Sequence, residues 1–222
     1  NYLNKEIVVI GLGYVGLPLA VKLSNSFDVI GYDISTKRTT ELNNLNDTTK
    51  EVSASILRKA KRLRISSNTV SIKDKYIYII TVPTPVNKKN LPDLSFIKKA
   101  CRLVGKLMAK QSIVIFESTV YPGVTEDICA PILSKVSGLV LNKTFFLGYS
   151  PERINPGDKK HSVDKITKVV SGSNTEITKT IGKIYKTIIK AGVFYAKSIE
   201  VAETAKAIEN AQRDINIAFV NE

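Results

Sequence analysis

Three glycines and one aspartate carry the most specific chemical signal in this sequence. Gly11, Gly13 and Gly16 form GxGxxG between the apolar run EIVVIG and a stretch of helical spacing, and Asp33 closes the next strand-like run. The spacing alone is weak, but this context makes it a dinucleotide site. Gly11 permits a sharp turn, Gly13 lets the backbone approach a pyrophosphate, and Gly16 lets helix and strand pack closely. The helix N-terminus adds N–H donors and partial positive charge. Tyr14 and Val15, between the last two glycines, belong to the same cofactor loop. Asp33 is placed to accept hydrogen bonds from both ribose hydroxyls of the adenosine half. Its carboxylate favours NAD over NADP, because a 2′-phosphate held near 4 Å costs on the order of 1 kcal/mol per charge pair even in water. Arg38, one turn into the following helix, either welcomes such a phosphate or serves the adenosine pyrophosphate region.

Other reactive residue types are scattered further along. Lys206 and Asn210 lie one helical turn apart on one face, and Glu152 sits in an SPER turn. On their own these read equally as a solvated lysine and a helix-capping carboxylate, and Thr119 as a plain strand-end threonine. His161, the single histidine, reads as a loop residue near the substrate segment without a catalytic role, and Arg153 as a candidate substrate contact. Cys101 and Cys129 show no metal-type spacing, and neither context suggests an activated thiol. Two reduced, buried thiols are expected rather than a disulfide.

The elements that must position these residues alternate. Strands are predicted at Glu6–Gly11, Phe27–Asp33, Leu63–Ser66, Tyr76–Val82, Ser112–Phe116, Phe145–Tyr149, Lys168–Ser171 and Gly192–Tyr195. Helices are predicted at Tyr14–Asn25, Ser35–Leu45, Ser53–Arg62, Leu94–Ala109 (capped by Asp93), Val124–Lys135 and Glu176–Lys190. This rhythm predicts an α/β fold, a Rossmann-like doubly wound parallel sheet with helices on both faces. Ile199–Glu222 reads as one long helix with Val201, Ala205, Ile208, Ala211 and Ile215 along a stripe and no terminator, so the chain is expected to continue.

A length of 222 residues with 43% hydrophobic and 24% charged residues suits an ordinary globular domain. No apolar run reaches the length of a membrane span, and the first residues lead straight into a strand without room for a signal peptide, so a cytoplasmic setting is expected. The net charge of +13 invites a nucleic-acid reading, but the lysines are spread over nearly every helix without a dense basic block. No nucleic-acid or membrane partner is expected. The charge suits a dinucleotide and a nucleotide sugar, both anions.

Five runs in order resemble one family. GLGYVGLPLA (Gly11–Ala20), TVPTP (Thr81–Pro85), ESTVYPG (Glu117–Gly123), YSPERINPGDKKH (Tyr149–His161) and AETAKAIENAQRDINIAFVNE (Ala202–Glu222) are similar to the UDP-glucose/GDP-mannose dehydrogenases. Pro156 stands where UDP-glucose dehydrogenases usually carry a second glutamate. The likeness is therefore to the UDP-N-acetylhexosamine 6-dehydrogenases of bacterial surface-polysaccharide synthesis, with UDP-glucose 6-dehydrogenase as the alternative. The resemblance implies a two-step, NAD-dependent oxidation of a sugar C6 alcohol to the carboxylate through a cysteine thioester. It implies that Lys206 and Asn210 stabilise the developing oxyanion, that Glu152 is the base for hydrolysis, that Thr119 holds the water, and that Thr84 and Thr119 contact NAD. It divides the chain into an NAD-binding domain (1–198) and the start of a central dimerisation helix (199–222), with a UDP-binding domain outside the chain and a homodimer in the full-length protein. The family cysteine lies in a Gly-x-Cys-x-Pro-x-Asp context beyond that helix, and no such stretch occurs here. The chain alone is expected to lack turnover. A 6-phosphogluconate or 3-hydroxyacid type of dehydrogenase, or a stand-alone NAD-binding module, are the competing readings.

Overall fold

The computed structural model describes residues 2–152 and 166–221. Arg153, Pro156 and His161 lie outside them. Eight strands form one sheet in the order β3-β2-β1-β4-β5-β6-β7-β8. They are β1 (Ile7–Ile10), β2 (Val29–Tyr32), β3 (Leu63–Ser66), β4 (Ile77–Ile80), β5 (Ser112–Phe116), β6 (Phe145–Tyr149), β7 (Lys168–Gly172) and β8 (Val193–Tyr195). Among the described residues seven α-helices accompany them: α1 (Gly16–Leu23), α2 (Thr36–Asn43), α3 (Ala54–Lys59), α4 (Ser95–Leu107), α5 (Ala130–Ser137), α6 (Thr175–Lys186) and α7 (Ile199–Asn221).

The central strands are buried on both faces, which is why they read as unbroken apolar runs. Ile7, Val9, Ile77, Ile79, Ile113 and Ile115 pack with α1, α2, α3 and α6 in one core. Their alternate neighbours Val8, Ile10, Tyr78, Ile80, Val114 and Phe116 pack with α4, α5 and the start of α7 in the other. Helices thus cover both faces of a mostly parallel sheet. The strand order reverses between β1 and β4, the place where such sheets open a crevice at their carboxyl ends.

Three features differ from the sequence expectation or add to it. β1 to β6 pair in parallel, but β7 runs antiparallel to β6, with Gly148 opposite Gly172 and Tyr149 opposite Ser171. The sequence places these two strands in succession with no helical pattern between them, and an antiparallel pair needs no crossover connection. β8, reached through α6, is parallel to β7. Second, the helix expected at Val124–Lys135 is a π-helical turn at Val124–Cys129 followed by α5. Pro131 has no N–H to donate, and its ring displaces the carbonyl one turn back, so the backbone widens there. Third, the stripe on α7 faces outward. Val201, Ile208 and Ile215 are exposed, and Ile199, Ala202, Glu203 and Lys206 are buried instead. Cys101 on α4 and Cys129 are both buried and unbridged. No helix among the described residues is long and apolar enough to cross a membrane.

Candidate active site

The glycine loop crosses from β1 to α1 under tight steric control. Gly11 has φ +94°, in the left-handed region that suits glycine. A Cβ on Gly16 would stand 1.8 Å from the Gly11 carbonyl oxygen and 2.4 Å from Thr81 Oγ1, so only glycine lets α1 approach. The Thr81 hydroxyl donates to the carbonyls of Ile10 (3.0 Å) and Gly11 (2.8 Å), tying the loop to the end of β4. A Cβ on Gly13 would meet no atom within 4 Å. The loop is closed toward the sheet and open on its outer side, as a pyrophosphate at a helix N-terminus requires. Val15 is half-buried beneath the exposed Tyr14. The residues present fit a dinucleotide.

Asp33, just past β2, holds this loop from the other side. Its Oδ2 accepts from the Leu12 N–H at 2.8 Å and its Oδ1 from the Ser35 N–H at 2.9 Å. Arg38 Nε donates to the Leu12 carbonyl at 2.9 Å. The rest of its guanidinium is engaged by Asp47 at 2.7 Å, Thr48 at 3.2 Å and Thr49 at 3.3 Å. Both side chains grip Leu12, between the first two glycines. Arg38 is thus a loop anchor in this geometry.

The loops after β4 and β5 are fastened together next to this crevice. The Thr84 hydroxyl donates to the Thr119 carbonyl at 2.6 Å, and the Ser118 hydroxyl to the Val82 carbonyl at 2.6 Å. Thr119 is exposed, so its side chain is open to solvent while its backbone is held.

The expected reaction residues gather past the ends of β5 and β6. Glu152 is buried at the end of the described segment, and Lys206 is buried on α7. The two are close enough for the Glu152 carboxylate to act on the Lys206 charge. Burial holds the pKa of Lys206 below its usual value, against the pull of Glu209, 3.6 Å away, and of Glu152. Asn210, one turn on, accepts from the Arg213 guanidinium.

Several residues that sequence reasoning missed build this arrangement. Glu203 is fully buried and accepts from the N–H groups of Gly123 (2.7 Å) and Thr125 (3.0 Å) and from the Thr125 hydroxyl (2.6 Å). It pins α7 to the loop after β5, and Lys206 lies less than one turn further on. Gly123 itself has φ +93°. Lys168, the first residue of β7, is buried against Glu117 (2.8 Å), the Pro151 carbonyl (3.3 Å) and Glu152 (3.4 Å). The Tyr185 hydroxyl donates to Glu117. The one available signal was a charged residue set directly against an apolar run, as in IVIFE and KVVSG.

The profile of the NAD binding domain of the UDP-glucose/GDP-mannose dehydrogenase family matches residues 5–189. A UDP-N-acetyl-D-glucosamine 6-dehydrogenase from Salmonella typhi is 52% identical over 217 residues, which is 98% of this chain and 51% of that protein. Protein CapL from Staphylococcus aureus is 52% identical over 220 residues, 99% of this chain and 52% of that protein. Among solved structures, a UDP-D-ManNAc dehydrogenase from Pyrococcus horikoshii superimposes with a TM-score of 0.91 at 31% identity, covering 97% of this chain and 52% of its own. The chain spans about half the length of the curated relatives it matches. With the glycine loop, the acid after β2 and the strand order already in place, the chain belongs to the UDP-glucose/GDP-mannose dehydrogenase family and carries its NAD-binding domain.

Proposed function

We propose that this chain is the cofactor-binding half of an NAD-dependent 6-dehydrogenase that oxidises the C6 alcohol of a UDP-N-acetylhexosamine to the uronic acid. The observation that carries this reading is that Glu152 and Lys206 are both buried and near enough for one charge to act on the other, in a chain half identical to enzymes named for that oxidation. NAD, when bound, supplies the hydride acceptor for each of two oxidations. Gly11, Gly13, Tyr14, Val15 and Gly16 cradle its pyrophosphate, Asp33 receives the ribose, Arg38 steadies the loop, and Thr84 and Thr119 flank the nicotinamide end. Lys206 and Asn210 donate to the oxyanion that develops at C6. A cysteine outside this chain captures the aldehyde, and the second oxidation leaves a thioester. Thr119 holds a water, Glu152 takes its proton, and hydrolysis releases the carboxylate and the thiol.

Cys101 and Cys129 are unsuited to the thiol role, being buried on the α4–α5 side of the sheet. The hydrogen bond with Cys129 and burial push the Cys101 thiol far up. Two unbridged thiols suit a cytoplasmic setting. Residues 1–198 form the NAD-binding domain, and 199–222 begin the central helix. The outward stripe of Val201, Ile208 and Ile215 supports a homodimer seam in the full-length protein.

Rapid mixing of the full-length protein with UDP-GlcNAc and NAD, followed by mass spectrometry of the quenched protein, tests the assignment. Glu152→Gln is expected to form early NADH and accumulate acyl-enzyme. Lys206→Ala is expected to slow NADH formation itself, by about 100- to 1000-fold. Loss of the first NADH burst in Glu152→Gln, with no adduct, would overturn the role given to Glu152.

A further inference from the structure

Behind Glu152 stand three buried groups that the reaction above does not use. Glu117 follows β5 and is wholly buried, Lys168 opens β7, and Tyr185 comes from α6. An ammonium has three N–H donors, and Lys168 has three acceptors within reach: Glu117 at 2.8 Å, the Pro151 carbonyl at 3.3 Å and Glu152 at 3.4 Å. The Tyr185 hydroxyl satisfies the other oxygen of Glu117, and the Tyr185 ring centroid lies 5.3 Å from the ammonium.

We propose that Lys168 is a positioning residue. Anchored by Glu117 and Tyr185, it holds the Pro151–Glu152 backbone and aims the Glu152 carboxylate at the water it activates. This rests on the assignment of Glu152 as the hydrolytic base.

The contact lengths set the division of labour. The short, fully desolvated bond to Glu117 fixes the ammonium, and the longer ones reach outward to 151 and 152. A purely structural tie between β5, β7 and α6 would be complete with Glu117, Lys168 and Tyr185 alone. Replacing a buried ion pair by apolar side chains of similar volume is often neutral or stabilising, so stability gives little reason for the cluster. Its geometry gives another: it leaves Glu152 in contact with the Lys168 ammonium and within electrostatic reach of Lys206 on α7. Among the described residues, the groups facing Glu152 include Glu117 after β5, Lys168 from β7, Tyr185 from α6 and Lys206 from α7. Burial works against the charge of Lys168, but the two carboxylates outweigh it and hold its pKa above the usual value. Lys168 thus stays charged across the working pH range, in contact with the Glu152 carboxyl.

The test uses the full-length protein with Lys168→Gln, which keeps a donor for Glu117 without the charge. Its companion is Lys168→Met/Glu117→Gln, which removes both buried charges and keeps an acceptor for Tyr185. NAD affinity and the first NADH burst are expected near parental values, with hydrolysis of the acyl-enzyme slowed at least about tenfold. The acidic limb of its pH profile should move up by about one unit, because an ammonium in direct contact favours the ionised carboxylate. In the double variant the contact with Lys168 outweighs the more remote repulsion from Glu117, so the direction is the same. Carbon NMR titration of the Glu152 carboxyl should give the same displacement without turnover. Unchanged hydrolysis in Glu152→Gln overturns the functional reading. If that variant is impaired, an unmoved limb and an unmoved titration in whichever Lys168 variant folds overturn the positioning role.

Discussion

Each oxygen of Asp33 accepts a backbone N–H, from Leu12 and from Ser35, so the carboxylate is oriented before any ribose reaches it. The same charge faces a 2′-phosphate in NADP. Asp33→Asn keeps an acceptor for one of these N–H groups and removes the charge. The preference for NAD over NADP is expected to narrow by about tenfold, as loss of a few charge–charge terms of order 1 kcal/mol implies. Calorimetry of both cofactors against parent and variant checks it, and equal or tighter NADP binding by the parent would sink the assignment. The grip of Arg38 on the Leu12 carbonyl explains why its role stayed open in the sequence. The spacing puts an arginine near the adenosine half, but Asp47, Thr48 and Thr49, which settle where its guanidinium points, belong to a loop with no motif.

At the scale of elements, that loop is a stabilising unit. Asp47 accepts from the N–H groups of Thr49, Glu51 and Val52, from the Thr49 hydroxyl and from Arg38. Burial alone would push its pKa up, but the hydrogen bonds from Thr49, Val52 and Arg38 outweigh it and hold the carboxyl below its usual value. A depressed folded pKa means stability that is present above the unfolded value, about 3.9, and lost as pH falls through the folded one. Asp47→Asn should cost about 2 kcal/mol at neutral pH, and less than half of that once the parent carboxyl is protonated. Urea denaturation at neutral pH and again below about pH 3 checks this. The strands and most helices were legible because burial on two faces or on one stripe leaves a period in the sequence. The reversal of β7, the π turn before Pro131 and the buried face of α7 were not. The π turn and the buried face of α7 are decided by something other than period, a missing N–H and the pull of Glu203 toward Gly123, and strand direction leaves no period at all. Glu117, Lys168 and Glu203 show in the sequence as charges, but their partners lie 16 to 80 positions away.

For the whole molecule, the proposed division of labour predicts binding without chemistry. This chain alone should bind NAD and give no steady NADH with any UDP-sugar, because both of its thiols are buried away from the crevice. Calorimetry and absorbance of NADH check the two halves of that statement, and sustained turnover would place the nucleophile within these residues. The bonds of Glu203 carry a further consequence, for the order of folding. The contacts of Asp33 and Arg38 with the cofactor loop span 21 and 26 positions, and those of Thr81, which complete it, 70 and 71. Those that bring α7 to the loop after β5 span 78 and 80. Closing the longer loops costs more chain entropy and is rewarded only after the sheet exists. During synthesis the nucleotide cradle can assemble while α7 is still unmade, and a partly made chain would take up NAD before the groups meant to react with it are in place.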